Sequence, residues 1–331
     1  MDIAVIYLLL IGFGLLVYVL LDGFSLGVGI ISPLLKDTHD KGIAMKSLSH
    51  LWDSNQTWLV FGGVVLFVGF PSVYAYVLSK LYMPISLMLI ALIFRGVAFE
   101  FRFKASSSRR LWDLSFAFGS TIATFFQGVI LGALVGDMSS TSAMEDAVEW
   151  LNPFSLFTGL ALVSGYALLG ACWLVRKTEN ALQAKVKKIA QRLLIIVLFF
   201  LVTVSIWMLL EQPAIAARWL NWPVNLWLAP MPVLTAFFAY KLWPTLTSEK
   251  EHGLMPLTYA MSLFITSFAG LVAGIYPYII PGRLTIWEAI APDKSVYFTL
   301  VGILVFIPVI IGYNAFNYWT FSGKTTMDDG Y

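Results

Sequence analysis

Leu20-Leu21-Asp22-Gly23-Phe24-Ser25-Leu26-Gly27-Val28-Gly29 sits inside an apolar window that runs from residue 5 to residue 35. A helix needs about 20 predominantly apolar residues to cross a bilayer, so the window reads as a membrane span. At a rise of about 1.5 Å per residue, Asp22 lies roughly 20 Å from Lys36 and hence deep in hydrocarbon. An aspartate there costs about 2.5–3.5 kcal/mol to insert. Ser25 shares its face at i+3, and Gly23, Gly27 and Gly29 permit close approach of another helix. Only Met1 to Ala4 precede the window, without positive charge, so it is a retained span rather than a signal peptide.

Working outward, eight more windows can cross a bilayer: residues 54–78, 82–103, 114–136, 153–175, 189–211, 224–243, 256–280 and 297–319. The seventh is interrupted by Pro230 and Pro232, and Pro277 and Pro281 shape a turn after the eighth. The 331 residues are 59% hydrophobic and 12% charged, where a soluble domain carries about 25% charged residues. The expectation is an all-α polytopic membrane protein with nine transmembrane helices. Residues 1–136 form a first four-helix bundle, 153–280 a second, and 297–319 an extra helix. The whole chain is one integral membrane domain, since no loop is long enough for a soluble one.

Lysine and arginine set the orientation. Fifteen lie in loops 1, 3, 5 and 7 and the C-terminus, against Lys80, Arg218, Arg283 and Lys294 on the other side. The loop at 137–152 carries Asp137, Glu145, Asp146 and Glu149 and no basic residue. Positive charge marks the cytoplasmic side, so the N-terminus is outside and the C-terminus inside. These basic loops are orientation signals, not a nucleic-acid surface. The single cysteine, Cys172, excludes an intrachain disulfide. His39, His50 and His252 fall in polar loops or at helix ends, leaving no ligands inside the bundle for a bis-histidine haem or a zinc site. No phosphate-binding glycine loop, serine triad or CxxC occurs.

Three polar groups remain to be explained. Asp22 is either a proton-carrying or cation-coordinating carboxylate, or a hydrogen-bonding contact between helices. In Trp52-Asp53-Ser54-Asn55-Gln56-Thr57-Trp58, Asp53 and Gln56 fit a capping box at the start of span 2, but Asn55, Gln56 and Thr57 extend the polar surface into the span. Intramembrane polar groups of this kind usually serve function. In Phe94-Arg95-Gly96-Val97-Ala98-Phe99-Glu100-Phe101-Arg102, Arg95 and Arg102 share a face and Glu100 is off it. Arg102 reads as an interfacial anchor. Arg95 either snorkels or pairs with Glu100, Asp22 or a group on another subunit. Gln127 and Gly128 read as helix–helix contacts.

Asp22-Gly23-Phe24 with Gly27-Val28-Gly29, the Trp52–Leu59 element, Phe94–Arg102, Asn152-Pro153-Phe154 and Tyr318-Trp319-Thr320-Phe321-Ser322-Gly323-Lys324 resemble subunit II of the cytochrome bd-type quinol oxidases, over the whole chain. The resemblance implies a terminal respiratory oxidase in the bacterial inner membrane that couples oxidation of ubiquinol or another quinol to reduction of dioxygen to water. It implies a heterodimer with subunit I, which carries two b-type haems, one d-type haem and the quinol-oxidising loop. This chain ligates none of them. It also admits a small single-helix accessory subunit, along with membrane lipid and quinone. The aspartate of the Trp-Asp motif, here Asp53, then lies at the cytoplasmic mouth of a proton path at the subunit interface. Asn55, Gln56 and Thr57 would orient water along it, with Asp22 and Ser25 as interior stations. Trp52, Trp58, Arg95, Glu100 and Arg102 are the interface or charge-pairing residues.

The chain departs from the pattern in two places. Ser25 stands where many relatives have a second carboxylate, and Ser54 where glycine is frequent. Ser54 with Thr57 resembles the cyanide-insensitive branch. Two other readings compete: a secondary transporter with a midplane Asp22–Arg95 site, and a purely structural subunit.

Overall fold

The chain begins its first helix on a side-chain cap: the Asp2 carboxylate accepts from the Ala4 amide at 2.9 Å. The computed structural model describes residues 2–105, 107–136 and 148–326. Asp137, Glu145 and Asp146 of the acidic loop lie outside the described residues, whereas Glu149 pairs with Lys80 at 3.1 Å. Helices dominate: α1 (Ile3–Ile31), α2 (Thr38–Lys46), α3 (Trp52–Gly69), α4 (Pro71–Arg102), α5 (Arg109–Val135), α6 (Pro153–Lys177) and α7 (Asn180–Glu211). They continue as α8 (Pro213–Leu220), α9 (Val224–Leu228), α10 (Pro230–Thr247), α11 (Met255–Ile275), α12 (Ile286–Ala289) and α13 (Asp293–Thr320). An antiparallel pair, β1 (Tyr278–Ile280) and β2 (Leu284–Thr285), forms the turn expected around Pro277 and Pro281.

Among the described residues, seven helices are long and apolar enough to cross a membrane. An eighth candidate is the pair Pro213–Leu220 and Val224–Thr247, bent by 88°. The interruption expected at Pro230 and Pro232 therefore falls earlier, between Leu220 and Val224. Pro230 instead occupies the first turn of α10, where its missing N–H costs nothing. α3 falls below that apolarity because its first turn, Asp53 to Thr57, is polar.

The expected break at 78–82 falls where two helical stretches of α4 meet, since Leu81 leaves helical geometry (φ −116°, ψ 19°) shortly before Pro84. Proline removes a backbone donor and crowds the preceding turn, so the chain kinks there. Gly69-Phe70-Pro71 is a further interruption that the windows do not anticipate. Phe70 is non-helical (φ −135°, ψ 66°), and Pro71 opens α4.

α6 is the most enclosed helix, and every residue from Ser164 to Val175 is buried. A helix apolar all round belongs at the centre of its assembly. α7 and α13 show most of their surface, with Phe199, Leu210, Phe298 and Phe306 exposed. α1 packs along α3, α5 and α6. Its contact with α6 is backbone on backbone: a Cβ on Gly27 would lie 1.8 Å from the Tyr166 carbonyl oxygen, and one on Gly170 2.2 Å from the Gly27 carbonyl carbon. Neither position admits a side chain unless the helices part.

The two ends of α13 are tied down. The Tyr7 hydroxyl donates to the Val296 carbonyl at 2.8 Å, and the Trp287 indole donates to Asp2 at 2.7 Å. At the other end Lys177 donates to the carbonyls of Phe321 and Gly323. Gly170→Ala is expected to lower the Tm of the purified complex, because overpacking of this kind costs about 1–3 kcal/mol. Gly302→Ala, at a position with open space around it, is expected to leave it unchanged or slightly raised. Calorimetry of both variants checks the contact.

Candidate functional site

Tyr18, Asp22 and Ser25 fall at i, i+4 and i+7 of α1, one face of the helix. Arg95 from α4 reaches this face. Its Nη1 donates to Asp22 Oδ2 at 3.0 Å and its Nη2 to Oδ1 at 2.8 Å, with both side chains at 0% exposure. The planar guanidinium matches a carboxylate with two parallel bonds. Gly119 of α5 lies against this pairing, since a Cβ there would stand 2.9 Å from the Arg95 amide nitrogen. Arg95 thus neither snorkels nor pairs with Glu100, which is exposed and faces Lys104 at 3.6 Å.

The pair sits in a larger network. The Tyr18 hydroxyl, one turn before Asp22 on the same face, accepts from Gln127 Nε2 at 2.7 Å. Gln127 Oε1 in turn accepts from the Tyr166 hydroxyl at 3.1 Å. Further along the same face, Asn55 Nδ2 donates to Ser25 Oγ and to the Leu21 carbonyl, each at 3.0 Å. Asn55 Oδ1 accepts from the Tyr318 hydroxyl at 2.8 Å. Polar side chains from α1, α3, α4, α5, α6 and α13 are therefore linked through one face of α1.

α3 has two faces with different character. Ser54, Asn55 and Trp58 point inward and are buried, and Trp58 meets Phe13 and Phe61 edge to face. Asp53, Thr57, Val60, Val64 and Phe67 are exposed. The capping box does not form. The Asn55 amide already bonds to the Leu51 carbonyl at 3.0 Å, so Leu51 is the N-cap and Asp53 lies inside the first turn. The Asp53 carboxylate has no partner among the described residues, and the Thr57 hydroxyl donates back to the Asp53 carbonyl at 3.4 Å. Gln56 is half-buried with its Nε2 unpartnered. The expected set Asp53, Asn55, Gln56, Thr57, Asp22 and Ser25 is thus divided by the helix: Asn55, Asp22 and Ser25 meet inside, while Asp53 and Thr57 do not join them.

Trp52 is half-buried and stacks on Phe99, ring centres 5.5 Å apart. Arg102 is no surface anchor: it is 3% exposed and paired with Asp113 at 2.5 Å. Tyr18, Tyr166 and Asp113 are not singled out by the sequence, and Tyr318 figures there only within the closing motif. Tyr18 could have been, as it stands one turn before Asp22. Tyr166 and Asp113 carry no local signal, because their partners are distant in the chain. Among the described residues no group of three or more His, Cys, Asp and Glu side chains could hold a metal ion. His39 and His50 are exposed.

Among the described residues, seven helices able to cross a membrane, packed around a buried polar centre, define a polytopic membrane protein. Residues 3–321 match the family described as cytochrome bd terminal oxidase subunit II, and the chain belongs to that family. It is a subunit of an oxidoreductase complex. Cytochrome bd-I ubiquinol oxidase subunit 2 of Escherichia coli (strain K12) is 26% identical, covering 98% of this chain and 95% of that protein. Cytochrome bd ubiquinol oxidase subunit 2 of Bacillus subtilis (strain 168) is also 26% identical, covering 92% of each. The fold is shared with the structure of bd oxidase from Geobacillus thermodenitrificans: TM-score 0.78, 18% identity, covering 95% of this chain and 96% of that one. These matches leave the transporter reading without support.

Removing one member of a buried ion pair strands the other, at a cost of about 3–5 kcal/mol. Arg95→Leu and Asp22→Leu are each expected to reduce assembled complex sharply. The double replacement is expected to recover part of the loss, measured as Tm and as yield of complex with its full visible spectrum.

Proposed function

We propose that this chain is the haem-free second subunit of a quinol:dioxygen oxidoreductase and that its own chemical contribution is proton uptake along the outer face of α3. The partner, subunit I, carries two b-type haems and one d-type haem. Quinol, ubiquinol or a relative of it, delivers electrons there and releases its protons near the outer face. Dioxygen is reduced to water with protons drawn from the cytoplasm. Charge is then separated across the membrane without a pump.

Nine spans form two four-helix groups plus α13, with α3 as the second span. The N-terminus is outside and the C-terminus cytoplasmic, on the strength of the lysine and arginine distribution. In that orientation Asp53 stands at the cytoplasmic mouth of α3. The observation that carries the reading is the exposure of Asp53 at that turn, with Thr57 one turn deeper on the same face. A carboxylate open to water collects a proton, and a hydroxyl beyond it continues a hydrogen-bonded route along the surface that faces subunit I. Asn55 is engaged by Leu21, Ser25 and Tyr318, and Asp22 by Arg95. These inner groups hold the helices that present the path, in place of the water-orienting and relay roles the sequence suggested for them.

A purely structural subunit is the second reading, favoured by the same closed interior. Asp53→Asn separates the two. The expected result is severalfold slower quinol-driven oxygen consumption by the purified complex, with an unchanged haem spectrum. Wild-type turnover in that variant returns Asp53 to a surface carboxylate and supports the structural reading.

A further inference from the structure

Two backbone and side-chain ties set α3 and α13 antiparallel and fix which of their turns stand side by side. Near the start of α3, the Tyr318 hydroxyl donates to Asn55 Oδ1 at 2.8 Å. At the far end, the Ala291 amide, just before α13, donates to the Gly69 carbonyl at 2.8 Å. Trp58 follows Asn55 by three residues, and Asn314 precedes Tyr318 by four. Both therefore lie about one turn, roughly 5 Å, from the Asn55–Tyr318 bond, on the faces that make it. They stand at one height.

Each presents a polar atom that the surrounding side chains do not satisfy. Trp58 is 1% exposed and Asn314 5%. Trp58 Nε1, a donor, and Asn314 Oδ1, an acceptor, are buried and have no hydrogen-bond partner among the described residues. They do not reach each other, since a direct bond would satisfy both. The Asn314 amide is oriented by its Nδ2, which donates to the Ile310 carbonyl at 3.0 Å, so its oxygen is the end left to pair. Phe13 and Phe61 border the Trp58 indole edge to face, with ring centres 5.6 and 5.7 Å away. Their rings offer the indole N–H no lone pair. Buried polar groups are almost always bonded to protein or to ordered water. A donor and an acceptor at one height, beyond each other's direct reach, are the two partners a single water molecule needs.

We propose that Trp58 and Asn314 bind one water molecule between α3 and α13, which accepts from the indole N–H and donates to the amide oxygen. The water extends the Asn55–Tyr318 contact by one turn and gives the buried Asn314 of an otherwise apolar stretch its role. The site uses neither Asp53 nor Thr57, so it does not depend on the route proposed for protons.

The test is cryo-electron microscopy of the purified complex in lipid nanodiscs, at a resolution that shows ordered solvent. The wild-type map is expected to hold one solvent peak within about 2.7–3.2 Å of both Trp58 Nε1 and Asn314 Oδ1. In Asn314→Leu, which removes the acceptor, the peak is expected to be lost while the Asn55–Tyr318 bond stays. Should that variant fail to assemble, the wild-type map decides alone. A direct bond between the two side chains, a lipid or quinone chain lying between them, or a map without the solvent peak overturns the proposal. So does a peak that persists unchanged in Asn314→Leu, because other groups then hold the water.

Discussion

One buried ion pair sets the terms for the rest of the molecule. Asp22 and Arg95 are both removed completely from solvent, and neither charge is tolerable there alone. Their two parallel bonds fix the rotation and height of α1 against α4. The bare backbone at Gly119 brings α5 up against the arginine. From the same face of α1, Tyr18 reaches α5 through Gln127 and α6 through Tyr166, while Asn55 and Tyr318 fasten α3 and α13. In a bilayer, where lipid is as apolar as leucine, packing and hydrogen bonding must supply the specificity that the hydrophobic effect gives a soluble core. The glycine-on-glycine contact of Gly27 with Gly170 provides the packing, and the network around Asp22 provides the register.

That arrangement has a functional consequence. Side chains engaged on all sides by other helices are poor candidates for carrying protons, because a relay needs groups free to exchange partners. The polar residues of α3 therefore sort by face. Asn55 completes the interior, and Asp53 and Thr57 look outward from a helix whose other outward residues, Val60, Val64 and Phe67, are apolar. A polar mouth on an otherwise apolar surface suits the place proposed for α3, between the cytoplasm and the partner chain.

Part of this was legible in the sequence. Asp22 and Arg95 stood out because each is too deep to be explained by solvation, and Asp22 was among the three partners open to Arg95. No pattern could choose between them, since the two residues are 73 apart. The capping box failed because the turn before α3 already delivers the chain in helical geometry at Leu51, a feature of the Leu48–Leu51 backbone that composition does not reveal. The break between α3 and α4 was missed because the apolar run continues unbroken across Gly69-Phe70-Pro71. Pro71 was the available signal, as a residue that opens helices more readily than it continues them. Arg102 looked like an anchor because Asp113, its partner, lies across a turn on the next helix.

Infrared difference spectroscopy of the complex during turnover, with isotope or Asn substitution at each aspartate, tests the division of labour most directly. The account predicts a carboxyl band that gains and loses a proton and disappears in Asp53→Asn, with no such band assignable to Asp22. A turnover-linked protonation signal that survives Asp53→Asn and is abolished by Asp22→Asn would contradict it.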